Sequence, residues 1–132
     1  MVQPFLRCIT SLRVFALALL VGLTAQGWAQ APPQVETTLK SMLSALQDNS
    51  LPGFVAEGDA AFQAAIAPPM FGNMSRQLGT RLKNGHSATY LATLKQQGFT
   101  VYLWKLEFSD SGDDILVTLA IKDGKVGGFW LR

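Results

Sequence analysis

The sequence predicts an α+β fold in which three N-terminal helices pack on one face of a four-stranded antiparallel meander sheet. Two observations carry that expectation. From His86 to Arg132 apolar and polar residues alternate between explicit turn signals, which is the strand pattern. Between Val35 and Leu82 the apolar residues instead recur at three- and four-residue steps, broken by Pro and Gly, which is the pattern of short amphipathic helices. Helices first and strands afterwards place the helices together on one sheet face.

The chain begins with a segment foreign to that fold. Arg7 and Arg13 precede an apolar run from Val14 to Leu23, small residues follow at Gly27, Ala29 and Ala31, and no acidic residue occurs before Glu36. This is the layout of a secretory signal peptide. A membrane-spanning helix needs roughly 20 apolar residues, about twice this run. The only cysteine, Cys8, lies ahead of the run, where it cannot serve as a lipoprotein anchor. We therefore expect a leader over residues 1–29, a single domain over 30–132, and a secreted or periplasmic protein with no membrane anchor after cleavage. Cleavage after Ala29 and after Ala31 both satisfy the small-residue rule.

Removing the leader changes the charge. Of 11 basic residues Arg7 and Arg13 leave with it, and the remainder balances against the 9 acidic ones. A neutral domain carries no basic excess for nucleic acid. It also lacks any thiol, so a domain of this size must be held by its core alone.

The first helix follows the stiff Ala31-Pro32-Pro33 lead-in, with Val35, Leu39, Met42, Leu43 and Leu46 on one stripe. Asp48-Asn49-Ser50 and Pro52-Gly53 end it, and Phe54 to Glu57 is too short to assign. A second helix starts with Asp59 as N-cap and buries Phe62 and Ile66. Ala67-Pro68-Pro69 stops it. A third, capped by Asn73 or Ser75, buries Met74, Leu78 and Leu82 and closes at Gly85, with Gly79 a weak point inside it.

In the sheet, Asp123-Gly124 is a type I′ hairpin signal. A two-residue loop at Ser111-Gly112 then pairs Phe108 with Ile115, Leu106 with Val117, Trp104 with Leu119 and Tyr102 with Ile121. Continuing through Asp123-Gly124 pairs Ile121 with Val126, Leu119 with Gly128 and Val117 with Trp130. These residues form one apolar face, since a slip of one residue would turn the whole set outward. For the first strand, a two-residue Gln97-Gly98 turn places Leu91 and Thr93 on the Trp104 face. A longer loop places Tyr90, Ala92 and Leu94 there, and is preferred because it buries more apolar surface.

The Glu57-Gly58-Asp59 turn, the helix ending in Lys83-Asn84-Gly85, the strands Gln96-Gln97-Gly98 and Val101-Tyr102-Leu103-Trp104-Lys105, and the final Lys122-Asp123-Gly124-Lys125-Val126-Gly127-Gly128-Phe129 resemble the small secreted bacterial domains of the nuclear transport factor 2-like, or cystatin-like, superfamily. The resemblance implies a curved antiparallel sheet around its helices, a pocket in the concavity and dimerisation through the sheet. It implies no particular activity, because functions within that superfamily vary widely.

Chemistry is sparse. His86 is the only histidine, which excludes two-histidine metal sites. With no Gly-x-Ser-x-Gly elbow, it reads better as a polar residue just past a helix end. Asp110, Asp113 and Asp114 could ligate calcium but read better as a solvated hairpin tip. The residues imply no cofactor and no metal. His86, Glu107 and Asp59 are the acid/base candidates if the domain is an enzyme. Tyr102, Trp104, Leu119 and Trp130 are expected to line a helix–sheet pocket. The outer face would carry Lys105, Glu107, Val101, Leu103, Leu116, Ala120, Phe129 and Leu131, too apolar for water alone, with Leu103, Leu116 and Phe129 in a dimer interface. The expectation is thus a secreted, non-catalytic module that binds a small apolar ligand or a protein partner as a homodimer. A small enzyme of the same superfamily and a structural envelope accessory are the alternatives.

Overall fold

A computed structural model describes residues 29–132. All of the expected leader but Ala29 lies outside the described residues. Four helices, α1 (Pro33–Gln47), α2 (Leu51–Val55), α3 (Ala60–Ala65) and α4 (Pro68–Lys83), precede four strands, β1 (His86–Gln96), β2 (Phe99–Phe108), β3 (Ile115–Lys122) and β4 (Lys125–Leu131). The strands form one antiparallel sheet in sequential order. This is the α+β arrangement expected from the sequence, N-terminal helices on one face of a four-stranded antiparallel meander, with four helices in place of three. Among the described residues, no helix is long and apolar enough to cross a membrane.

The helices differ from expectation where proline is concerned. α3 does end ahead of Ala67-Pro68-Pro69, but the proline pair also occupies the first turn of α4, where the missing N–H costs no hydrogen bond, so that helix begins after Ala67 rather than at Asn73 or Ser75. Pro52-Gly53, expected to end the first helix, and the start of the unassigned Phe54–Glu57 stretch instead lie in α2, whose N-cap Ser50 accepts from the Gly53 N–H at 3.2 Å. Its Phe54 is fully buried, with ring centroids 5.2 Å from Phe71, 6.0 Å from Phe62 and 5.2 Å from Phe129. One aromatic side chain thus joins α2, α3, α4 and β4. Gly79 is no weak point: a β-carbon there would stand 3.1 Å from the Leu46 carbonyl, so its absence lets α4 approach the end of α1. Ser75, one turn earlier, donates to that same carbonyl at 2.6 Å.

Register departs from expectation in three places. Between β2 and β3 the connection is six residues, 109–114, rather than two, and Trp104 pairs with Val117, Tyr102 with Leu119 and Leu106 with Ile115. The shift is two residues, so every side chain keeps its face. The turn is wide because the Asp110 side chain accepts from the Gly112 N–H at 2.8 Å and from Arg81 at 2.7 Å.

In β4 the shift is one residue. Ile121 pairs with Val126 but Ala120 pairs with Gly128, leaving Gly127 as a bulge, and beyond it Leu119 faces Phe129 and Val117 faces Leu131. Phe129 and Leu131 therefore turn toward the helices and Trp130 turns away, the reverse of the expected assignment. In β1 the Gln97-Gly98 turn is the two-residue one and not the longer loop preferred from the sequence, with both residues at positive φ, 51° and 82°. A bulge at Leu91 then returns Tyr90 to the Trp104 side. Tyr90 packs on Trp104 at 5.9 Å, while Ala92 and Leu94 face outward.

Trp104, Leu106, Val117, Leu119 and Val126 close the core against Leu39, Met42, Leu46, Phe54 and Leu82, all fully buried. The outer edge of β4 is partly paired as well. Val126 exchanges backbone bonds with Glu57 and Asp59 at 2.8 and 2.9 Å, which anchors the turn before α3 to the sheet.

Candidate functional site

The helix-facing interior is filled. Trp104 and Leu119, expected to line a pocket, have no exposed surface, Tyr102 is half-buried against Trp104 at 6.1 Å, and Trp130 is on the other side of the sheet.

The helix-free face holds a recess of about 610 Å³. Strand alternation arranges it in rows. Leu94, Val101, Ala120 and Gly128 lie across the four strands, then Ala92, Leu103, Thr118 and Trp130, then Lys105, Leu116 and Arg132. Phe99, Gln96 and Gln97 close the recess at the first hairpin. Val101 and Ala120 are only 5% and 4% exposed although no helix covers them. Trp130 helps to bury this floor: its indole lies across Gly128, where any β-carbon would collide with it, and Phe99 lies in the same way across Gly127. The two glycines thus let two aromatic rings approach the sheet backbone closely.

Of the expected interface residues, Leu103 and Leu116 line this recess and Phe129 does not. Leu94, Phe99, Trp130 and Arg132 line it without having been anticipated there. Gly127-Gly128, adjacent glycines in a strand, was the available signal for the bulge that puts Trp130 outside. Among its rims, Lys105 and Glu107 form an ion pair at 3.1 Å, and the Lys122 ammonium sits 5.8 Å from the Phe99 ring centroid.

The acid/base candidates do not converge. Asp59 caps α3, accepting from the Phe62 N–H at 2.7 Å. His86 donates from Nδ1 to the Leu82 carbonyl at 2.9 Å, satisfying the end of α4. Glu107 is on the outer face beside Lys105. Asp110 is held by Arg81, whose guanidinium makes two contacts to its carboxylate, a third to the Asp113 carbonyl, and stacks 3.8 Å from the Phe108 ring centroid. That hydrogen bonding lowers the Asp110 pKa and raises that of Arg81. The aspartates around it are a tie between α4 and the β2–β3 loop. Among the described residues, no group of three His, Cys, Asp or Glu could hold a metal ion.

The chain matches no protein-family model and no curated protein. Solved structures that share similarity with it include the following two. An uncharacterised cystatin fold protein from Novosphingobium aromaticivorans aligns at 8% identity and a TM-score of 0.41, over 77% of this chain and 99% of that one. TerC, co-crystallised with polyporic acid, aligns at 13% identity and a TM-score of 0.42, over 76% of this chain and 91% of that one.

Proposed function

We propose that this is an exported, non-catalytic binding module whose recognition surface is the helix-free face of the sheet, taking a small apolar ligand in the recess. The observation that carries the reading is the recess itself: about 610 Å³, floored by Val101, Leu103, Leu116 and Ala120 and flanked by the ring of Trp130. That volume and its mostly apolar lining suit a small molecule. Denaturing mass spectrometry of the purified domain should release an apolar small molecule after native purification, and the Leu103→Lys variant should release none. Retention of the same molecule by that variant would place the ligand elsewhere.

A homodimer through this same face is the second reading. Leu94 at 42% and Trp130 at 46% exposure leave apolar surface that two-fold pairing would close. Its interface would contain Leu103 and Leu116, with Trp130 in place of Phe129. Sedimentation equilibrium separates the two readings, since only the second predicts a concentration-dependent mass.

A further inference from the structure

We infer that the ligand of this recess is an amphipathic anion, an apolar body bearing one acidic group, with the acidic group received by Arg132. The inference rests on the binding reading above and deepens it. In a domain whose charges balance as a whole, the outer face is one-sided. Lys105, Lys122, Lys125 and Arg132 fall on it by strand alternation, and Glu107 is its single side-chain carboxylate.

Glu107 pairs with Lys105, and Lys122 leans toward Phe99. Arg132 is the cation that lines the recess, set across from Leu116 by reciprocal backbone bonds of 2.7 and 3.0 Å. Arg132 stands at the end of the apolar rows, beyond Trp130 and Thr118, while Gln96 and Gln97 stand at the opposite end. An apolar body laid along Val101, Leu103 and Trp130 thus meets uncharged amides at one end and a cation at the other. An acidic group with two oxygens free to accept parallel N–H bonds, a carboxylate or a sulfonate, suits the guanidinium fork.

The same charge count weighs against a second copy of the chain on this face, because two-fold pairing would bring two cationic surfaces together. A membrane surface fits poorly as well. The apolar floor is recessed, with Val101 and Ala120 almost wholly covered, and Leu94 and Trp130 project from it singly rather than as the broad apolar face that insertion into a bilayer needs.

The test uses two probes that share one aromatic body and differ by a sulfonate: 1-anilinonaphthalene-8-sulfonate and the neutral N-phenyl-1-naphthylamine. Titrated into the domain spanning residues 30–132 at low salt, the anionic probe should bind roughly threefold to tenfold more tightly, the preference shrinking as salt is added. Arg132→Gln should abolish the preference by weakening the anionic probe, and Arg132→Lys, which keeps the charge but loses the fork, should keep part of it. Equal affinity for the two probes, or a preference that survives Arg132→Gln, would overturn the inference and leave the binding reading standing. Failure of both probes to bind would overturn the two together.

Discussion

The indole Nε1 of Trp104, at the centre of β2, donates a hydrogen bond of 3.1 Å to the Glu36 carboxylate in the first turn of α1. A fully buried tryptophan is thereby satisfied by a half-buried acid 68 residues away, and the start of α1 is fixed over the middle of the sheet. Removing the acceptor leaves a buried donor unpaired. Glu36→Ala should cost about 1 to 2 kcal/mol, and Glu36→Gln, which keeps an oxygen there, distinctly less. Trp104→Ala should cost about 3 to 5 kcal/mol. Urea denaturation of the three variants checks the order; a Glu36→Ala midpoint equal to wild type would show that the contact does not form in solution.

The β4 bulge makes neighbouring aromatic residues behave oppositely. Phe129→Glu would bury a carboxylate against Phe54 and should destabilise the domain by about 3 kcal/mol or more. Trp130→Glu, on the exposed side, should cost about 1 kcal/mol, the loss of its cover over Gly128. Thermal melts that ranked the two the other way would mean that Gly127 is not bulged.

Asp110 contributes an acid dependence of known sign. Arg81 holds its pKa below the ordinary 3.8, so the contribution is complete above the unfolded carboxylate range and is lost as pH falls through the lowered folded value. Asp110→Asn should lower the melting temperature slightly at neutral pH, where the contribution of this exposed pair is complete, and its profile should converge on that of wild type as pH falls through the lowered folded value. A profile parallel to wild type throughout would exclude a stabilising role for the pair.

Processing is expected to leave Gln30 at the N-terminus. Both candidate cleavage positions satisfy the signal-peptide rule, but Ala31 is 5% exposed within the core cluster, and cutting after it would remove a packed methyl group. N-terminal sequencing of exported protein decides between Gln30 and Pro32.

Alternation made much of this architecture legible before the structure. The Trp104, Val117 and Leu119 face was assigned correctly although the β2–β3 pairing was off by two residues, because an even slip preserves the side of every residue. An odd slip does not, and Gly127 introduced one, exchanging Phe129 for Trp130. The wide loop at Asp110 was hidden for another reason: its partner, Arg81, is 29 residues earlier on α4, and no local pattern reveals that bond. The candidate site was half legible. Leu103 and Leu116 were placed on the outer face, whereas the pocket itself was assigned to the helix side, where the core turned out to be packed.

Which face of the sheet binds is the central question, and a titration of N-phenyl-1-naphthylamine followed by its fluorescence addresses it with two variants of opposite placement. Leu103→Gln alters the floor of the outer recess, and Tyr102→Phe alters its neighbour on the helix side. The account predicts that Leu103→Gln weakens binding at least about fivefold, a loss of roughly 1 kcal/mol of apolar contact, while Tyr102→Phe binds as wild type. Loss of binding in Tyr102→Phe with full binding in Leu103→Gln would contradict it and return the site to the helix side.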